Sequence, residues 1–309
     1  MACRSALFFV VYGKWLFCML RRKCIFCERL LLTELDKKGV LTFRRLAATA
    51  GILLAVALAV GVLCSLIGQT ELGWRFWDSW IWQVRLSRLT MAAAVGAALA
   101  AAGMALQGML RNPLAEPYVL GISSGAGVGV LVGLNFGAMI ALPVLFATPL
   151  LALIGAILTC LIVYSISQRR GRLDPYVLLL SGVIVNIING AIILTMLKFL
   201  RTNDQINFIN WSMGQVPEYL WNNWSLIGLC WACVLIGWAV LFFRGPAFNM
   251  LGLGDDVAAS SGVHIHWLRV ETFFVVSLMT AAGVSLTGPV GFVGLIVPHV
   301  CRLIVGADH

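Results

Sequence analysis

The sequence predicts an all-α fold, a polytopic transmembrane helical bundle of about eight spans, on three observations. Hydrophobic residues make up 61% of the 309 positions and charged residues only 11%, whereas soluble domains carry roughly 25% charge. Residues 117–168 contain no Asp, Glu, Lys or Arg, which is room for two helices at roughly 20 apolar residues per crossing. No ten-residue apolar/polar alternation recurs, so a β-barrel is set aside. Helices remain, because each satisfies its own backbone hydrogen bonds in lipid.

Charges and prolines interrupt the apolar runs and place the spans at 46–68, 89–110, 118–136, 144–167, 176–198, 223–243, 270–287 and 290–305. Before the first lie Arg21, Arg22, Lys23, Arg29, Lys37, Lys38, Arg44 and Arg45. By the positive-inside rule that end is cytoplasmic. Alternating from there, Arg111, the "QRRGRLD" turn, the segment 244–269 and Arg302 face the cytoplasm. Arg85, Arg88, Lys198 and Arg201 fall outside with Glu71, Asp78, Asp204 and Glu218. The net charge of +9 is thereby accounted for as topology, and no nucleic-acid partner is expected.

Small residues mark the tightest helices. In the third span Gly121, Gly125, Gly129, Gly133 and Gly137 recur every fourth residue, and in the second Ala93, Ala97, Ala101 and Ala105 do the same. Such ridges let backbones approach closely in lipid, so both spans are expected at the centre of the bundle.

The first forty residues break the pattern. "SALFFVVYGKWLFCML" is too short for a standard span and its basic cluster follows it, the reverse of a secretory signal. Residues 1–43 are expected to be an N-terminal extension preceding the natural start, at Met19 or near Val40; an extra or interfacial helix is the other reading. Residues 44–309 form the transmembrane domain.

Enzyme signatures are missing: the sequence has no GxxxxGK[ST] phosphate loop, no HExxH and no nucleophile elbow. No metal site is expected. The CxxC pairs Cys24/Cys27 and Cys230/Cys233 each stand alone, whereas structural zinc takes four ligands. His264 and His266, two apart on a helix, point in different directions. The 13 acidic residues fall almost all in loops, so the carboxylate relay of a proton-coupled transporter is not visible.

Three segments are too irregular for plain connections. "RNPLAEP" holds Arg111, Asn112, Pro113 and Pro117, its prolines ending one helix and opening the next. "NMLGLGDDVAASSGVHI" carries Asp255 and Asp256 where a helix begins and Gly262 where one stops. "GPVGFVGLIVPHVCRLIVGADH" brackets its apolar centre with Pro289 and Pro298 and then carries His299 and Arg302. In the fifth span Gly182, Asn186 and Asn189 share a face; in the second, Met104 and Gln107 raise the same question. Amides in a membrane helix either line a pathway or bond to a neighbouring helix.

With "RLSRLTMAAAVGAALAAAGMALQGMLRNPLAEPYVLGISSGA", "LGLGDDVAASSGV" and "GPVGFVGLIVPHVCRLIVGADH" in this order, the chain resembles the FecCD family over 44–309. These are permease subunits of ABC importers for ferric siderophores, heme and vitamin B12. The resemblance implies a second permease subunit, identical or a close paralogue. It also implies two ATPase subunits in the cytoplasm, a periplasmic or lipid-anchored binding protein outside, and no cofactor on this chain. It implies the cytoplasmic membrane of a bacterium or archaeon, with the N-terminus of the permease domain inside. By the same likeness Leu251, Gly254, Asp255, Asp256, Ala258, Ala259 and Gly262 form the loop that meets the ATPase, the acids capping their helix or meeting basic groups. Arg85 and Arg88 would dock the binding protein or, as the plainer alternative, snorkel at a helix end; Ser87 stands where the family commonly has proline. Met104, Gln107, Gly182, Asn186 and Asn189 would line the pathway.

The family follows its third block with two more spans, so eight of ten are expected here. The function expected is a permease for an iron chelate, siderophore or heme. The alternatives are a vitamin B12 permease and a truncated membrane remnant or scaffold without transport.

Overall fold

In the computed structural model, residues 43–66, 79–136, 144–169 and 171–305 are described, and their contacts divide at residue 56 into two units, Met1–Val56 and Ala57–His309. The start-site expectation and Gly137 lie outside the described residues. In the first unit the described residues are the opening turns of helix α1 (Phe43–Leu66), whose Ile52, Leu53 and Leu54 are exposed.

The second unit is helical. After the remainder of α1 come α2 (Ser79–Leu110), a 3-10 turn (Pro117–Leu120), α3 (Ile122–Phe136) and α4 (Val144–Ser167). A two-stranded hairpin, β1 (Gln168–Arg169) and β2 (Arg172–Leu173), leads into α5 (Pro175–Leu197) and α6 (Thr202–Ser212). A second 3-10 turn (Glu218–Asn222) precedes α7 (Trp224–Phe243), α8 (Gly245–Leu253), α9 (Asp255–Ser260), α10 (Ile265–Thr287) and α11 (Val293–Val305). Each of the eight apolar runs is a helix. Among the described residues five are long and apolar enough to cross a membrane; Gly51–Cys64, Ile122–Phe136 and Val293–Leu303 are shorter apolar stretches.

Two helices form the centre. The most apolar window of α10 is 78% buried and that of α2 is 56% buried, against 28% for α5 and α7. α2 packs against α7, α10 and α11, and α10 also meets α4. Some of the buried hydroxyls turn back on their own helix: Thr272 Oγ1 donates to Leu268 O at 2.6 Å and Thr287 Oγ1 to Gly283 O at 3.1 Å, which removes the cost of an unpaired donor in an apolar setting. Thr280 Oγ1, by contrast, is buried without a partner among the described residues.

The glycine ridge packs against α4. Gly125, Gly129 and Gly133 are buried; a Cβ on Gly129 would overlap Leu151 O, and one on Gly155 would overlap Gly125 O. The alanine ridge needs a correction. Ala93 and Ala97 are exposed, and the stripe that packs is Ala94, Ala98, Ala101, Ala102 and Ala105. In an alanine-rich helix every face looks small, so four-residue spacing alone does not select the one that faces a neighbour.

α2 starts ten residues before the expected span. Its 32 residues extend about 48 Å at 1.5 Å per residue, well beyond a hydrocarbon layer of about 30 Å. Arg85 and Arg88 therefore sit on helix that continues past the apolar layer, not in a connecting loop.

The turn after α10 also departs from expectation. Gly288 caps α10 at φ 73°, yet the chain does not simply reverse at the surface. Gly283 faces Val95, whereas Gly294 packs on Leu99 and Gly103, about 6 and 12 Å further along α2. Residues 288–294 thus run back into the bundle before α11 begins. Gly103 permits this, since a Cβ there would overlap Gly294 O.

Candidate functional site

The predicted coupling loop is two helices, not one. Arg244 turns the chain out of α7 and α8 follows; Leu251 is fully buried and anchors it. Gly254 adopts φ 130° and ψ 155°, a conformation that L-residues avoid, and so reverses the chain into α9. Ala258 is fully buried, while Asp256 and Ala259 are exposed. At the far end Gly262, at φ 85°, donates its N–H to Ala259 O at 3.0 Å. Phe248 and Leu251 on α8 and Ala258 on α9 hold the loop, and Asp256, Val257, Ala259 and Ser260 are exposed.

Asp255 ties this loop to the core. Its carboxylate accepts from Arg269 Nη2 at 2.9 and 3.0 Å and forms an ion pair with Arg111. Arg269 belongs to α10 and Arg111 follows the last turn of α2, so one acid joins the loop to both central helices. Of the two roles open to the acids, Asp255 takes the ion pair; neither acid makes a side-chain cap to α9. Arg111 itself lies at φ 49°, a region that non-glycine residues rarely enter.

The signature segment after α2 is set by its own polar atoms. Asn112 Oδ1 accepts from Leu114 N at 3.0 Å, a turn that Pro113 extends, and Pro117 opens the 3-10 turn. Two residues that sequence reasoning left without a role then act. Glu116 Oε1 accepts from Phe292 N at 2.8 Å, and Tyr118 Oη accepts from Val290 N at 2.9 Å. They hold the re-entrant chain, including Phe292 at φ 66°. Pro289 lies within that chain, its carbonyl against Gly214. Pro298 is a buried interruption within α11 and His299 is exposed; Arg302 keeps a buried Nη2 without a partner. The sequence signal for the clamp was a carboxylate between two prolines, too common to single out.

The candidate pathway residues divide. Asn186 Nδ2 donates to Tyr118 O at 3.1 Å and its Oδ1 accepts from Ser124 Oγ at 2.6 Å. Asn189 Nδ2 reaches Ser124 Oγ at 3.1 Å and Thr159 Oγ1 at 3.3 Å. Gly182 is pressed against Val119 O. Gln107 is 2% exposed, with Nε2 at 3.4 Å from Ala115 O and 3.3 Å from Gly294 O. These four are engaged in helix contacts, the second of the two uses open to polar groups in a membrane helix: amides in an apolar bundle take the nearest backbone and hydroxyl partners. Met104, 36% exposed, remains on an open face of α2 with Ala93 and Ala97.

Asn189→Ala removes the donor shared by α3 and α4 while leaving Ser124 its other bonds. The substitution is expected to lower stability by about 1 kcal/mol, since interhelical hydrogen bonds in membranes are worth roughly 0.6 on average with a maximum near 1.7; unfolding in mixed micelles measures it.

At the opposite end of α2, Arg88 Nη2 donates to Glu218 Oε1 at 3.0 Å, both side chains well exposed. This ion pair stitches α2 to the second 3-10 turn. Arg85, three residues before it on the same helix, is half-buried.

The FecCD transport family model matches residues 48–309. An uncharacterised ABC transporter permease protein of Bacillus subtilis (strain 168), YvrB, is 38% identical over 229 residues, 73% of this chain and 63% of that protein. The vitamin B12 import system permease protein BtuC of Vibrio cholerae is 36% identical over 263 residues, 84% of this chain and 77% of that one. A solved metal-chelate type ABC transporter, in an inward-facing conformation, matches with a TM-score of 0.72 and 28% identity over 83% of this chain and 80% of its own. The chain spans less than two thirds of the length of the Bacillus relative.

Proposed function

The chain belongs to the FecCD transport family, and from that premise we propose that it is the permease subunit of an ATP-driven importer for a bulky metal chelate, a ferric siderophore or heme. The observation that carries this reading is the Asp255 tie. An exposed surface helix, α9, is fixed through one carboxylate to the ends of the two most buried helices, so a push on α9 by a separate ATPase is delivered to the centre of the bundle. Leu251 and Ala258 seat the loop, Gly254 and Gly262 shape it, and Asp256 and Ala259 present the contact face.

Two permease subunits pair along the open face of α2, where Met104 borders the pathway. Arg85 and Arg88 lie at the other end of that helix, and there the binding protein delivers the chelate. Glu218 already pairs with Arg88, so a docking carboxylate from the binding protein displaces an internal one. The membrane is the cytoplasmic membrane of a prokaryote, and the α9 end faces the cytoplasm.

A second reading, vitamin B12 as cargo, is favoured by the Vibrio cholerae relative, whose name specifies that cargo. The test is uptake into cells that lack their own importers, supplied with this chain, its ATPase and its binding protein. ATP-dependent accumulation of labelled ferric siderophore or hemin is expected. Accumulation of labelled vitamin B12 alone would transfer the assignment to the second reading, and no uptake of any of the three would overturn both.

A further inference from the structure

A cavity of about 820 Å3 opens at the α9 end of the bundle, lined by Arg111, Arg169, Arg172 and Arg269 against Asp174 and Asp255. Both acids are committed. Asp255 serves Arg111 and Arg269; Asp174 caps α5, accepting from Tyr176 N at 2.9 Å and Val177 N at 3.2 Å. The positive charge of Arg169 and Arg172 is left over.

The fold forces those two side chains into register. Gly171 lies at φ 74° next to the second strand, and Arg169 stands directly opposite Arg172. Like charges directly opposed across a ladder destabilise it, and both arginines are exposed, so an anion between them relieves the repulsion. Arg269 also stands at the cavity wall, its guanidinium already bonded to Asp255.

Position narrows the class of anion. Leu110 ends α2, Arg169 lies two residues past the end of α4, and Pro175 opens α5; all three line the cavity. It therefore lies at the plane where apolar spans stop, the depth of lipid headgroups. Basic pockets between helices at this level suit phosphate-bearing headgroups, and guanidinium forks match phosphate oxygens two at a time.

We propose that this cavity binds a phosphate group, with Arg169 and Arg172 as its paired donors. The phosphodiester of an anionic lipid and free phosphate share this chemistry. The site goes beyond the transport reading and holds whatever the cargo is.

The full chain, purified and delipidated in a neutral detergent, is titrated with phosphatidylglycerol and separately with inorganic phosphate. Native mass spectrometry counts bound lipid, and thermal unfolding reads both ligands. One bound phosphatidylglycerol is expected, with affinity about tenfold weaker in R169Q/R172Q, equivalent to about 1.4 kcal/mol. R169K/R172K, which keeps the charge, is expected to retain an intermediate affinity, and Arg201→Gln on the opposite end to change nothing. Binding of inorganic phosphate but not lipid, lost in R169Q/R172Q, supports the site with a soluble source. Binding of neither ligand, or equal binding by the wild type and R169Q/R172Q, overturns the proposal. So does an Arg201→Gln variant that weakens binding as much as the double substitution.

Discussion

Gly129→Val is expected to remove most of the folded protein. On helix propensity alone glycine is a poor choice here, worth about 1 kcal/mol less than alanine within a helix, so its presence needs a packing reason. The geometry supplies it: a Cβ at Gly129 would overlap Leu151 O and sit 2.9 Å from Ala152 Cα. Both obstacles are backbone, so no rotamer change makes room and α3 must move off α4. That separation also opens the contact in which Gly155 approaches Gly125 O and Gly129 Cα. Overpacking costs about 1–3 kcal/mol where side chains can yield; here they cannot, and the loss exceeds that range against a stability of roughly 5–15 kcal/mol. Monodisperse protein recovered by size exclusion in mild detergent is expected to fall about tenfold, which corresponds to a loss about 1.4 kcal/mol greater than the native stability. The control lies one turn along. At Gly133 a Cβ meets Thr148 Cα at 3.4 Å and Leu151 Cδ1 at 3.5 Å, ordinary contact, so Gly133→Ala is expected at wild-type yield. Equal yields for Gly129→Val and the wild type would show that α3 and α4 do not pack as described.

The glycines were legible because four-residue spacing is a local property of the sequence and close backbone approach is its one structural use in lipid. The alanines misled for the same reason: Ala93 and Ala94 differ only in what lies beside them, and composition carries no direction. Helix existence was legible from apolar length, as the span at 144–167 and helix α4 show, but α2 runs ten residues beyond its expected start. Gln83, Arg85, Ser87 and Arg88 break the apolar run there without ending the helix. The candidate site was half readable. Asp255 is visible in "GDDVAASSG", yet its partners Arg111 and Arg269 lie 144 and 14 residues away, and only the fold brings them together. Asn186 and Asn189 show the opposite limit. Their polarity in a span announces a partner, but the choice between pathway and helix contact rests on Ser124 and Thr159, whose hydroxyls are unremarkable in sequence. Glu116 and Tyr118 act on residues more than 170 positions away, and no local pattern marks them.

Asp255→Ala is expected to uncouple ATP hydrolysis from transport while leaving the protein folded. The carboxylate stands between two guanidinium groups, with Arg269 13% exposed and Asp255 42% exposed. Removing one partner from a fully buried pair costs about 3–5 kcal/mol. Solvent reaches this one, and exposed pairs are worth about 1 kcal/mol or less, so the loss falls between and the fold survives it. The mechanical effect is larger. Without the carboxylate, α9 keeps Ala258 in its socket but loses its ties to α2 and α10, and two arginines repel where an acid had joined them. Motion of α9 then no longer has to move the central helices. In the fully reconstituted importer, chelate uptake per ATP hydrolysed is expected to fall at least about tenfold, within the roughly 5–150-fold range of coupling energies between linked sites. ATPase co-purification is expected to stay near the wild-type level. Asp256→Ala supplies the contrast, because Asp256 is exposed on the same turn and, under the proposed function, belongs to the contact face. Its loss is expected to weaken ATPase retention while the uptake per ATP of assembled complexes stays unchanged. If Asp255→Ala instead releases the ATPase and preserves uptake per ATP in the complexes that remain, Asp255 belongs to the docking face and the tie to Arg111 and Arg269 does not transmit the stroke.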